Sequence, residues 1–183
     1  EEQLLFEHVL LLVGGAETTR NAIAGGLEML AKNPDQWAYL RANVDDEKVI
    51  AGAIEEMIRW VTPFNNMFRT ATRDVELRGK TIKEGQMIAM QYPSANRDPS
   101  VFKDPYKFDV KRDPKEEKHI SFGFGSHFCL GANLARLELR ATLTTLLRKI
   151  ETLGIAPGGR NEIMSSSFIR GHKHIDLVCT PAA

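Results

Sequence analysis

The sequence predicts a mainly α chain with small β-sheets. Three observations carry that reading: helical periodicity from about Glu2 to Lys32, a second periodic run from Leu130 to Lys149, and between them short β-rich runs broken by turn residues. The 183 residues are 43% hydrophobic and 26% charged, the balance of a packed globular chain and not of a disordered one.

In the first run Leu4, Leu5, Val9, Leu12, Val13, Ala16, Ile23, Leu27 and Leu30 recur at helical spacing, and Phe6, Leu10 and Leu11 widen the stripe almost all the way round. Such a helix belongs in the middle of a protein. At about 1.5 Å per residue it reaches roughly 45 Å, whereas a compact chain of this length has a radius of gyration of about 16 Å. It protrudes unless further polypeptide covers it. Asn33-Pro34 ends this helix and starts the next, with Asn33 as N-cap and Pro34 in the first turn. A short helix follows through Trp37 and Leu40. Another runs from about Asp46 to Val61, with Val49, Ile50, Ala53, Ile54 and Met57 inward, and Thr62-Pro63 stops it. The runs Arg69–Thr72, Val75–Arg78 and Met87–Met90, separated by Arg78-Gly79-Lys80 and Lys83-Glu84-Gly85-Gln86, read as a small meander. Asn96–Lys118 is polar, carries Pro99, Pro105 and Pro114, and reads as ordered loop. Leu134, Leu137, Leu139, Leu143 and Leu146 mark the last helix, and Ile163–Cys179 suggests one or two strands.

Composition narrows the function. Twenty-four Lys and Arg offset 24 Asp and Glu, which gives no support to a nucleic-acid partner or a polybasic membrane contact. Cys129 and Cys179 are the only cysteines, so a disulfide scaffold is excluded and a zinc site of several thiolates nearly so. The longest near-apolar run, Val9–Ala16, falls well short of the roughly 20 residues that span a bilayer. No signal peptide opens the chain, and it begins at Glu1 and not Met. The expectation is a cytoplasmic protein of which residues 1–183 form a single partial domain, with an N-terminal portion missing.

The most informative stretch is Phe122-Gly123-Phe124-Gly125-Ser126-His127-Phe128-Cys129-Leu130-Gly131. A single cysteine sits in a glycine-rich loop just before a helix, whose free N–H groups and positive dipole end suit an anionic sulfur. Gly125 and Gly131 let the backbone approach a broad, flat ligand, and Phe122 and Phe128 are placed to shield the sulfur. One thiolate with no second cysteine nearby suits a metal whose other ligands come from a macrocycle. Two other readings stand beside this one. Cys129 is a buried structural thiol, or it is a nucleophile paired with His127.

The whole ten-residue pattern resembles the haem-binding signature of the cytochrome P-450 family, with Phe122, Gly125, Cys129 and Gly131 at its fixed positions. Three further features follow the family's order. Gly14-Gly15-Ala16-Glu17-Thr18-Thr19 lies inside the long helix, where two adjacent glycines each cost about 1 kcal/mol relative to Ala. It resembles the family's oxygen-activating motif, in which Thr18 bonds back to a helix carbonyl and Glu17 and Thr18 pass protons. Glu56-Met57-Ile58-Arg59 resembles the family's Glu-x-x-Arg, a buried pair for which Asn96 and Arg97 are candidate third partners. Arg69 opens the strand region where the family sets a guanidinium against a haem propionate, and His127 occupies another propionate position.

The resemblance covers essentially all of this chain but only the C-terminal part of the cytochrome P-450 fold. It implies a haem-thiolate monooxygenase of bacterial soluble type that inserts one O₂-derived oxygen atom into a hydrophobic substrate. The cofactor is haem b (iron protoporphyrin IX), with Cys129 as its iron ligand. Leu12, Gly15, Ala16 and Thr19 border the distal cavity, and Phe64, Met67, Phe168 and Ile169 meet a large apolar substrate of the sterol or fatty-chain class. Electrons come from a ferredoxin-type or flavin reductase partner, for which Arg136 and Arg140, one turn apart after Cys129, offer a basic docking face. Two alternatives are a truncated, non-catalytic scaffold that does not retain haem, and a haem-thiolate binding or sensor module.

Overall fold

In the computed structural model, which describes residues 2–182, the first element is a helix of 31 residues. This is α1 (Glu2–Lys32), followed by α2 (Pro34–Ala42) and α3 (Glu47–Val61). Four strands come next: β1 (Asn66–Thr70), β2 (Val75–Leu77), β3 (Lys80–Ile82) and β4 (Met87–Gln91). After them lie a single turn, α4 (Tyr92–Ala95), and a long coil. The chain closes with α5 (Ala132–Lys149), β5 (Ile150–Ile155), β6 (Asn161–Ile163), β7 (His172–Ile175) and β8 (Leu177–Pro181). Every sheet is an antiparallel pair: β1 with β4, β2 with β3, β5 with β8, and β6 with β7. The strands therefore frame the helices and do not form a layer of their own. Three elements lay outside the sequence expectation. They are β3, between the two stretches read as turns, α4, and β5, which continues directly from α5.

The core lies among the C-terminal half of α1, α2, α3, α5 and β5. Leu30, Leu40, Ile50, Met57, Leu139, Leu143 and Leu147 are almost wholly buried there, each stabilising by about 1.5–3 kcal/mol relative to exposure. Gly25 and Gly26 let α1 cross α3 closely. A Cβ at Gly26 would fall 2.2 Å from the Met57 side chain, and one at Gly25 would fall 2.7 Å from Val61. By contrast, Leu4, Leu5, Phe6, Val9, Leu10, Leu11, Leu12 and Val13 are exposed. The helix that reads as buried almost all round has buried residues only from Thr19 onward among the described residues, and even there Arg20 and Lys32 are exposed.

The joint between α1 and α2 differs from the expected cap. The Asn33 side chain does not cap α2; its Nδ2 donates back to the Met29 carbonyl at 2.7 Å. The Asn33 carbonyl instead accepts from Gln36 and Trp37. In α3 the N-cap is Asp46, whose carboxylate accepts from the Lys48 and Val49 amides. Its C-cap, Thr62, is a β-branched residue in the left-handed region (φ 44°), an uncommon conformation that needs outside support. Its hydroxyl donates to the Arg59 carbonyl at 2.6 Å and accepts from Asn96 Nδ2 at 2.9 Å.

Glu56 and Arg59 lie buried at the centre of this arrangement. Arg59 Nε and Nη2 donate to the two Glu56 oxygens at 2.6 and 2.8 Å. Its remaining donors reach the main-chain carbonyls of Asn96 (2.8 Å), Pro105 (3.0 Å) and Lys107 (3.2 Å). The third polar side chain that joins the pair is neither that of Asn96 nor that of Arg97. It is Arg112, whose Nε donates to Glu56 Oε2 at 3.1 Å. Asn96 serves by its carbonyl, and Arg97 turns to the Trp60 carbonyl and ring. Glu56→Ala leaves two buried guanidiniums short of a carboxylate. It should cost the full-length protein about 3–5 kcal/mol in chemical denaturation, whereas Glu47→Ala, at an exposed pair with Arg140, should cost nothing measurable.

Candidate functional site around Cys129

The loop before α5 is shaped by its backbone. Gly123 and Gly125 sit at φ +74° and +76°, where side-chain-bearing residues are strained. The Cys129 amide donates to the Phe122 carbonyl at 2.9 Å, and the Ala132 amide reaches the Cys129 carbonyl at 3.3 Å as α5 begins. The loop thus closes on itself and hands Cys129 to the start of the helix. Phe122 and Phe128 stand 6.2 Å apart, ring to ring, beside an exposed Cys129.

From behind, the loop is held by charge. Arg136 of α5 lies over the Phe122 ring at 4.5 Å and donates to both Glu55 oxygens at 2.6 and 2.9 Å. His119 Nε2 lies 3.0 Å from the same carboxylate. Burial alone would raise the Glu55 carboxyl, but hydrogen bonds from Arg136 and His119, with their charges, bring it down to about 2. Sequence reasoning missed this cluster: its members lie far apart in the chain, and Glu55 is marked only as the neighbour of Glu56. It also alters the expected docking face, since Arg136 is neutralised by Glu55 and Arg140 faces Glu47 at 3.5 Å.

The front of the loop is open and apolar. Phe124 and Leu130 are 92% and 90% exposed. A Cβ at Gly125, Gly131, Gly14 or Gly15 would meet nothing within 4 Å. So the close packing that a glycine pair in a helix suggests belongs to Gly25 and Gly26, not to Gly14 and Gly15. Thr18 Oγ1 donates to the Gly14 carbonyl at 2.7 Å, and Glu17 pairs with Arg20 at 2.5 Å. Glu17 and Thr18 are therefore adjacent in α1 but bonded to different groups. Arg69, on β1, donates to the Phe68 carbonyl at 2.8 Å and makes no ion pair among the described residues. His127 ends a short 3-10 turn and is exposed. Phe64 and Phe168 meet edge to face at 5.0 Å, and Phe64 bridges to Ile169 in antiparallel fashion. Met67 lies on β1 opposite Met90.

The Cys129 loop offers one soft donor beside exposed apolar side chains and uncrowded glycines. Among the described residues no group of three or more His, Cys, Asp or Glu is placed to hold a bare ion. A metal bound by Cys129 must bring its other ligands with it, and a flat macrocycle fits both the donor set and the uncrowded glycines. A profile of one family matches residues 1–177, and that family is cytochrome P450.

The chain belongs to the cytochrome P450 family.

Its relatives agree. It is 43% identical over all 183 residues to a steroid C26-monooxygenase of Mycolicibacterium smegmatis, of which it covers 44%. The crystal structure of the cytochrome P450 CYP108D1 from Novosphingobium aromaticivorans superposes with a TM-score of 0.87 at 37% identity, over 96% of this chain and 41% of that one. CYP109E1 from Bacillus megaterium, solved in complex with corticosterone, gives 0.87 at 32% identity, over 96% and 46%. The chain thus spans less than half the length of the relatives it matches. The family's cofactor is haem, and the P450 architecture agrees with the C-terminal part of that fold. No helix among the described residues is long and apolar enough to cross a membrane.

The Glu55 cluster makes the P450 loop sensitive to acid. A carboxylate whose pKa is depressed by folding contributes stability that is present above its ordinary value of 4.5 and lost as pH falls toward about 2. Glu55→Gln should therefore flatten the fall in denaturation midpoint of the full-length protein over that interval. An unchanged acid limb would assign it to other groups.

Proposed function

We propose that residues 1–183 are the haem-ligating C-terminal part of a larger cytoplasmic monooxygenase that hydroxylates a large apolar substrate, a sterol or fatty chain. The observation that carries this is Cys129, a lone thiol in a glycine-opened apolar loop at the start of α5. The substrate class is supported by the relatives named for steroid oxidation and by the aromatic and aliphatic side chains at Phe64, Met67, Phe168 and Ile169. The cytoplasm suits a protein that keeps a reactive thiol reduced.

Bound haem supplies the binding and activation of O₂. The net reaction consumes O₂, two electrons and two protons, places one oxygen in a C–H bond of the substrate and releases the other as water. Cys129 would hold the haem iron through its sulfur. Arg69 and His127 would hold the two propionates by hydrogen bonds. Thr18, whose hydroxyl proton is directed to the Gly14 carbonyl, keeps oxygen lone pairs free to accept a proton. Glu17, partly exposed one residue away, carries protons in from solvent. The electrons come from a ferredoxin-type or flavin reductase.

Two variants of the full-length protein test this. Cys129→Ser should abolish the strongly red-shifted Soret band of the reduced, CO-bound form, while Cys179→Ser should leave it intact. Retention of that band in Cys129→Ser would overturn the ligand assignment. Thr18→Ala should raise peroxide release per reductant consumed with oxygen still taken up; unchanged coupling would remove Thr18 from the proton route.

A further inference from the structure

The β6–β7 hairpin, whose tip carries Phe168 and Ile169, is fastened to α1 by one carboxylate. Glu28 Oε1 accepts from Asn161 Nδ2 on β6 at 2.8 Å and from Lys32 Nζ at 2.7 Å. Glu28 Oε2 lies 3.1 Å from His172 Nε2 on β7. Asn161 and His172 belong to the two opposed strands of the antiparallel pair, so a single side chain holds both legs. Just before His172, Gly171 touches α1 by its backbone: a Cβ there would fall 2.1 Å from the Asn21 amide carbon. The tip is tied elsewhere. The Asn65 amide donates to the Phe168 carbonyl at 2.9 Å, and the Arg170 amide to the Pro63 carbonyl at 2.7 Å.

The attraction between Glu28 and His172 is coulombic. Neither His172 ring nitrogen has an aligned hydrogen-bond partner, and the ring is 7% exposed. A neutral imidazole there is a buried polar group with nothing to bond, which costs stability. A charged one faces a carboxylate at contact distance. Burial alone would raise the Glu28 carboxyl, but hydrogen bonds from Lys32 and Asn161 and the charges of Lys32 and His172 outweigh it and hold it below the usual range. A cavity of about 60 Å³ opens beside the pair, and its ionisable lining side chains are Glu28, His172 and Arg170. From α3 only Trp60 and Val61 face it. On the hairpin itself, Lys173 pairs with Glu162, and His174 with Asp176.

We infer that Glu28 and His172 are positioning residues for the substrate-facing tip: their ion pair sets where Phe168 and Ile169 stand and makes substrate affinity follow the charge on His172. This rests on the reading of that tip given above. Histidine is the side chain that ordinarily changes charge between about pH 5 and 8. While His172 carries a charge the tip is held; without that charge Glu28 Oε2 has no partner.

The test uses the full-length, haem-loaded protein and two readouts, neither of them turnover. Hydrogen exchange of the amides in 161–175, corrected for intrinsic rates, should be about five-fold faster at about pH 8 than at about pH 6. The dissociation constant of testosterone, followed by the Soret shift, should rise by a similar factor. Both dependences should vanish in His172→Leu and Glu28→Gln, with no further loss in the double variant; His174→Gln should keep them. His172→Gln serves where the leucine variant does not fold. Exchange that is indifferent to pH, or a dependence that survives in His172→Leu, overturns the inference and leaves the haem reading untouched. Exchange that follows His172 while testosterone affinity does not move overturns it differently, by showing that the tip does not face substrate.

Discussion

Everything else in this chain is arranged around one buried carboxylate. Glu56 accepts from Arg59 twice, from Arg112, and from the Asp109 amide at 2.8 Å. Arg59 carries the constraint outward, since its donors reach the Asn96, Pro105 and Lys107 carbonyls. The coil between α4 and the Cys129 loop has no ladder of its own to satisfy its main chain. Its carbonyls would be costly to bury without these guanidiniums. Glu117 pairs with Arg112 and brings the cluster of two guanidiniums to two carboxylates, which is what makes its burial tolerable. The pair is better understood as the fastening of an irregular segment than as a source of net stability.

Asn96 passes that order to the functional loop. Its side chain donates to Thr62 Oγ1 and, at 2.8 Å, to Ser121 Oγ, and accepts from the Ile120 amide at 2.9 Å. Thr62 ends α3 in a left-handed turn, and Ser121 directly precedes Phe122 of the loop. One buried amide therefore joins the end of α3, where Phe64 follows, to the entrance of the Cys129 loop. Glu55, next to Glu56, fixes the same loop from α5 through Arg136. Two consecutive acids on α3 thus do different work: Glu56 holds the coil, and Glu55 holds the loop it leads to. The front of the loop is left free of charge partners and lined by Phe124, Phe128 and Leu130, as an apolar face for a flat cofactor requires.

What could be read from the sequence followed period and spacing. α1, α3 and α5 announce themselves by apolar periodicity, and the ten residues around Cys129 by glycine placement. β3 did not, because it has only three residues, and β5 did not, because Ile150-Glu151-Thr152-Leu153-Gly154-Ile155 lacks clean alternation and follows α5 without a break. The Asn33 side chain lay within reach of two sets of unpaired groups, the last carbonyls of α1 and the first amides of α2. The Met29 carbonyl won. Arg112 and the Glu55 cluster were not legible at all. Their partners lie 56 and 81 residues away, and no local pattern encodes a contact of that range. The Glu28 clamp is of the same kind, with Asn161 133 residues distant.

α1 accounts for where the proposed proton route stands. From Thr19 onward it is locked against α3, α5 and the hairpin by Gly25, Gly26 and the core leucines. Before Glu17 its described side chains are exposed, and a Cβ at Gly14 or Gly15 would meet nothing within 4 Å. Thr18 stands at the boundary, on the last turn before the locked part. A hydroxyl that must hold its place needs a rigid neighbour on one side, and Thr19, Asn21 and Ala22 supply that by burial. The proposed proton route also asks that hydroxyl to exchange its proton, and its acceptor is the Gly14 carbonyl at 2.7 Å.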